Sequence, residues 1–137
     1  MTADQPRSGG CLCGAVRYRL NGAPRPIVYC HCGQCRRTHG HFAAYTSVPT
    51  EALELVEQRG LAWFRSSPEA ERGFCRECGA SLFWRRIGDC GVAAGSLDDA
   101  VGLEAAAHIF VADKGAYYEI ADGLPQHAQG SGSSRIA

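Results

Sequence analysis

The chain has 137 residues, 45% of them hydrophobic, which suits one compact domain and is short for two. Its 14 Lys and Arg balance 14 Asp and Glu, so no global field points to nucleic acid or to a membrane surface. Residues 1–10 are polar and lack the apolar stretch of a secretory signal, and no run approaches the roughly 18 apolar residues of a membrane span. The expected setting is therefore cytoplasmic and reducing, where eight cysteines are better explained by metal than by disulfides.

In chain order, residues 1–8 read as a flexible leader. Residues 15–20 alternate apolar and basic side chains as a half-buried strand does, with Val16, Tyr18 and Leu20 facing inward. Asn21-Gly22 is a hairpin-turn signal. Pro24 and Pro26 keep the next segment loop-like until residues 27–29 enter a second strand. That strand leads into Cys30-His31-Cys32-Gly33-Gln34-Cys35, followed by Arg36 and Arg37. Residues 42–48 are an apolar, β-branched and aromatic run that suits a strand, broken by Pro49 and Thr50. Residues 51–58 fit a short helix capped by Thr50, although Leu53 and Leu55 also fit a strand. Residues 61–64 read as a strand. Cys75-Arg76-Glu77-Cys78-Gly79 is a compact knuckle, left by a strand over 81–86 with Leu82 and Trp84 on one face. Short strands are expected at 92–94 and 108–111, then a loop at 123–126. The Gly/Ser-rich tail over 129–137 reads as disordered. The predicted fold class is mostly β: a small antiparallel β domain over 9–128, of several short strands clipped by zinc knuckles, with little or no helix.

Seven cysteines fall into three sequence clusters: Cys11 with Cys13, Cys30 with Cys32 and Cys35, and Cys75 with Cys78. A closed zinc site takes four ligands. The economical partition joins Cys11, Cys13, Cys75 and Cys78 in one tetrahedral site and leaves the triplet to hold a second zinc. A competing partition pairs Cys11 and Cys13 with Cys32 and Cys35, and asks Cys30 and Cys90 to complete a site with Cys75 and Cys78. Spacing alone leaves both open. In an extended strand Cys30 and Cys32 share a face while His31 points away, so His31 reads as a packed or hydrogen-bonding residue. His39 and His41 lie within reach of a metal or a substrate. His108 reads as structural, and Cys90 as a small buried residue or a spectator.

Taken together, Gly10-Cys11-Leu12-Cys13-Gly14, the run from Cys30 to Arg36, Phe74-Cys75-Arg76-Glu77-Cys78-Gly79, Ala94-Gly95-Ser96-Leu97-Asp98-Asp99, His108-Ile109-Phe110-Val111 and Gly123-Leu124-Pro125 resemble the glutathione-dependent formaldehyde-activating enzyme family. The resemblance implies a structural zinc on Cys11, Cys13, Cys75 and Cys78 and a reactive zinc on Cys30, Cys32 and Cys35. It covers roughly residues 9–126. One departure is an aromatic position, often Trp in the family, where this chain has Tyr117 or Tyr118.

Zinc with three thiolates has a formal charge of −1 and is a weak Lewis acid, better suited to exchanging thiolates than to activating water. The expected reaction is the addition of a thiol such as glutathione to a small aldehyde, a carbon–sulfur lyase chemistry run in the synthetic direction. Cys30, Cys32 and Cys35 are the expected reactive residues. Arg36 is a candidate for binding a glutathione carboxylate, and the backbone around His39, Gly40 and His41, with either histidine, for stabilising the developing alkoxide. The partners expected are a small thiol and an aldehyde, not nucleic acid or membrane. A non-catalytic glutathione carrier or protein-interaction module is the other reading.

Overall fold

The computed structural model describes residues 5–130 and the backbone of 135 and 136. Half of the expected leader, residues 1–4, and residues 131–134 and 137 of the expected tail lie outside the described residues. In chain order the first elements are β1 (Arg7–Gly10), β2 (Arg17–Leu20), β3 (Ile27–Cys30), α1 (Gly33–His39), β4 (Ala43–Pro49) and β5 (Leu53–Glu57). They are followed by β6 (Leu61–Ser67), β7 (Ala70–Cys75), β8 (Ser81–Arg86), β9 (Asp89–Ala93), β10 (Ala105–Ile109), β11 (Gln126–His127) and β12 (Arg135–Ile136). The fold is mostly β, with one short α-helix and single 3-10 turns. Among the described residues no helix is long and apolar enough to cross a membrane.

By internal contacts the chain forms two compact units, residues 1–25 with 46–103, and residues 26–45 with 104–137. In the first unit, β1, β2 and β5 make an antiparallel sheet in the order β1-β2-β5. The alternation seen in the sequence is realised, since Val16, Tyr18 and Leu20 are all buried. Strand β1 starts inside the expected leader because Arg7 is itself buried, its guanidinium donating to the carbonyls of Asp99 at 2.9 Å and Val101 at 2.6 Å. The Asn21-Gly22 hairpin is corrected: β2 takes β1 and β5 as neighbours, and the Asn21 N–H donates to the Ala52 carbonyl at 2.8 Å. Pro24 and Pro26, which carry no N–H, follow too closely for a returning strand to form. Of the two readings of 51–58, the strand holds. A single 3-10 turn covers Thr50–Ala52, and then Leu53 and Leu55 pair opposite Leu20 and Tyr18 and pack on the core.

Strands β6 to β9 form an antiparallel meander in the same unit. Trp63 stacks on Phe83 at 5.9 Å between ring centroids, and Phe83 meets the edge of Tyr18 at 5.2 Å. Cys90, in β9, is buried in this core, and burial pushes its thiol up to about 12.

In the second unit β3 runs antiparallel to β4, with Cys30 opposite Ala43, and parallel to β10, with Cys30 opposite Ile109. Strand β10 is also parallel to β11. These two parallel pairings make the mostly antiparallel arrangement a mixed one in this unit. Nothing forces a hairpin between segments as far apart in sequence as β3 and β10, so either direction is open to them. The expected strand over 108–111 ends two residues early. Phe110 adopts φ 55, a left-handed conformation rare for a residue with a Cβ, and a 3-10 turn over Val111–Asp113 follows.

Candidate metal centres

The first unit gathers the sulfurs of Cys11, Cys13, Cys75 and Cys78 within 4.8 Å of one another. Cys11 Sγ to Cys13 Sγ is 3.7 Å, and Cys13 Sγ to Cys75 Sγ is 3.8 Å. A tetrahedron with metal–sulfur bonds of about 2.3 Å has edges of about 3.8 Å, so the spacing suits zinc and is far too long for a disulfide. Local backbone explains the geometry. The Val16 N–H reaches Cys11 Sγ at 3.2 Å, and the Cys78 N–H reaches Cys75 Sγ at 3.5 Å. Gly79, at φ 83, turns its N–H to the Cys75 carbonyl at 2.7 Å and closes the knuckle. Donors aimed at sulfur favour thiolate, and the backbone N–H of Ala80, then that of Cys13, brings the Cys78 thiol down to about 6.

The second unit gathers Cys30, Cys32 and Cys35, again within 4.8 Å. The extended-strand picture holds only for Cys30, at the end of β3. Cys32 is the N-cap of α1, and its Sγ accepts the Cys35 N–H at 3.3 Å, so a helical turn rather than strand alternation completes the triplet. Hydrogen bonding from Cys30, then Cys35, pulls Cys32 down to about 2, while the same contacts drive Cys30 up. Among the described residues no fourth Cys, His, Asp or Glu atom joins this set. Three soft donors at this spacing fit zinc with one position left for an outside ligand.

Arg36 is exposed on α1. The N–H of Gly40, which ends the helix at φ 80, is bonded to the Arg36 carbonyl at 2.8 Å and so is not directed at a ligand. His39 Nε2 lies 2.9 Å from the Tyr45 hydroxyl, and His41 Nδ1 is bonded to the Tyr117 hydroxyl. His31 is 1% exposed and engaged at both ring nitrogens, Nδ1 with the Tyr118 hydroxyl at 2.5 Å and Nε2 with His108 Nδ1 at 2.8 Å. It is not available as a metal donor, as its place between two ligands on a strand end suggested. Beyond it, His108 Nε2 lies 2.8 Å from Asp122 Oδ2. Sequence reasoning took His108 for a structural residue and missed Asp122 altogether, because nothing local to either marks them as partners.

A mostly β chain with one cluster of four thiols and one of three is, as a class, a small β protein with two cysteine clusters that could each hold a metal ion. The sequence profile described as glutathione-dependent formaldehyde-activating enzyme matches residues 6–113, and the chain belongs to that family. It is 31% identical over 77 residues to an uncharacterized lyase of Schizosaccharomyces pombe, covering 56% of this chain and 55% of that protein. It is also 31% identical over 94 residues to a Halomonas elongata protein named "putative glutathione-dependent formaldehyde-activating enzyme", covering 56% and 53%. The chain thus spans about half the length of the curated relatives it matches. A Rhodobacter sphaeroides protein of known crystal structure is similar with a TM-score of 0.57 and 26% identity, over 66% of this chain and 87% of that one.

Proposed function

We propose that this protein is a zinc-dependent carbon–sulfur lyase working in the synthetic direction, joining glutathione or a similar thiol to formaldehyde or another small aldehyde. The observation that carries the reading is the three-thiol set of Cys30, Cys32 and Cys35, which has no fourth donor among the described residues. Family membership supports glutathione and formaldehyde as the first substrates to test. The four-thiol set serves as a structural zinc site, giving two zinc ions per chain in a reducing cytoplasm.

Cys30, Cys32 and Cys35 would hold the zinc, which would supply a seat favouring the thiolate form of an incoming thiol near neutral pH. The chain's own residues do the rest. Arg36, next to the last ligand and exposed, binds a glutathione carboxylate through its fork of N–H donors. As the thiol sulfur forms the new C–S bond, the C=O π bond breaks and the oxygen takes a proton, giving the S-hydroxymethyl product. His41 and His39, each hydrogen-bonded to a tyrosine hydroxyl, are the groups to which this reading assigns delivery of that proton. The Gly40 N–H does not contribute, being committed to Arg36.

The test is exchange NMR of formaldehyde with glutathione, with and without protein, since the uncatalysed addition also proceeds. Faster interconversion with the wild type and the uncatalysed rate with Cys32→Ser support the enzyme. An unchanged rate with glutathione still bound makes the protein a carrier.

A further inference from the structure

A hydrogen-bonded chain of four side chains, its two imidazoles buried, runs through the second unit. Asp122 Oδ2 meets His108 Nε2 at 2.8 Å, His108 Nδ1 meets His31 Nε2 at 2.8 Å, and His31 Nδ1 meets the Tyr118 hydroxyl at 2.5 Å. Asp122 is 42% exposed, whereas the two imidazoles are buried. The Leu124 N–H and then His108 hold the Asp122 carboxyl below its usual range, so it is ionised and only accepts. An ionised carboxylate at one end sets the polarity of a chain of neutral imidazoles. His108 carries its proton on Nε2 and accepts on Nδ1, His31 donates from Nε2 and accepts on Nδ1, and Tyr118 donates its hydroxyl proton inward.

His31 is the one residue between Cys30 and Cys32. Its backbone N–H is tied to the Ile109 carbonyl at 3.0 Å, and its ring is held from both nitrogens and packed against Phe42 at 4.9 Å and Tyr118 at 5.6 Å. The backbone torsions of this one residue set how far apart the backbone positions that carry the first two sulfurs of the triplet stand. A side chain that cannot turn therefore holds the backbone that spaces two ligands.

We propose that Asp122 is a positioning residue for the three-thiol site, acting through His108 on the His31 ring and so on the link from Cys30 to Cys32. The proposal rests on the reading that the triplet holds a metal. Without the carboxylate, His108 loses its fixed tautomer, and the His31 ring faces either a matched donor and acceptor or two like groups. The link then samples several geometries, and the metal leaves more readily. Outer partners that orient metal-site residues typically change metal affinity by 10-fold or more.

The experiment uses the whole chain loaded with cadmium-113, in which each site gives its own resonance, together with zinc release to a chromogenic chelator. In Asp122→Ala the triplet resonance shifts or broadens and zinc leaves that site on the order of 10-fold faster, while the four-thiol resonance and its release are unchanged. His108→Phe keeps the ring packing and shows the same selective change. Asp122→Glu, which retains an ionised acceptor, restores part of the wild-type signal. Unchanged triplet spectra and release in both Asp122→Ala and His108→Phe overturn the proposal, and so does an equal change at both sites, which makes the chain a general support of the fold. A wild type showing only the four-thiol resonance defeats the metal reading of the triplet, and this proposal with it, before any variant is compared.

Discussion

Cys13 Sγ stands 3.8 Å from Cys75 Sγ although they lie 62 positions apart, so a turn near Cys13 and the end of β7 meet at one ligand set. Such a set exists only in the folded chain, and metal binding there is folding energy, roughly 10–16 kcal/mol in apparent terms for structural zinc. Cys75→Ser is expected to lose the zinc of this site and to unfold the first unit, whereas Cys32→Ser loses one zinc and keeps its far-UV circular dichroism. Zinc stoichiometry measured beside the spectra decides it. Equal unfolding in the two variants would show that the triplet is structural as well.

Gly60 lies behind this ligand set. A Cβ there would come within 2.8 Å of both Cys75 Sγ and the Ala15 Cβ, and the Gly60 backbone already bonds Ala15 and Arg76. Gly60→Ala is expected to cost about 1–3 kcal/mol, as overpacking does, and to speed zinc release from the four-thiol site alone. Urea unfolding of the holoprotein and chelator kinetics measure the two effects. A variant as stable as wild type would mean that the knuckle shifts without penalty.

Arg7 tests where the ordered chain begins. Its buried guanidinium donates to two carbonyls of the 99–101 loop, and replacing it with Met fills similar volume but leaves both acceptors unpaired. Hydrogen bonds to a charged group are worth about 1.5–3 kcal/mol, so Arg7→Met is expected to lose about that much in urea unfolding. No loss would assign residues 7 and 8 to a dispensable leader.

Alkaline pH addresses the core. Burial pushes Cys90 from 9.0 to about 12, and Tyr18 from 10.0 to about 12. Each folded value lies above its unfolded one, so the contribution is complete below pH 9 and is lost as pH rises toward 12. Unfolding free energy is expected to fall across that window. In Cys90→Ala it starts lower, because a buried sulfur is gone, and falls less steeply between pH 9 and 12. Parallel slopes in the two proteins would mean that Cys90 is reached by solvent.

The local elements were legible because their causes are local. Alternation placed Val16, Tyr18 and Leu20 inward, and the glycine after Cys78 marked a knuckle whose turn needs positive φ. Where two local causes competed, the tertiary contact chose. Leu53 and Leu55 became strand because β2 offered them partners, and Asn21-Gly22 ended a strand without starting a hairpin.

What the sequence by itself determined is the mostly β class, the family resemblance and the inventory of thiols, since motif spacing is written along the chain. Which thiols share a centre was narrowed by spacing but decided only in three dimensions, where four sulfurs meet in one unit and three in the other. The chain from Tyr118 through His31 and His108 to Asp122 was decided there entirely. Its members come from a strand end, a second strand and two loops, and a hydrogen bond between residues 77 positions apart leaves no periodic trace in the sequence.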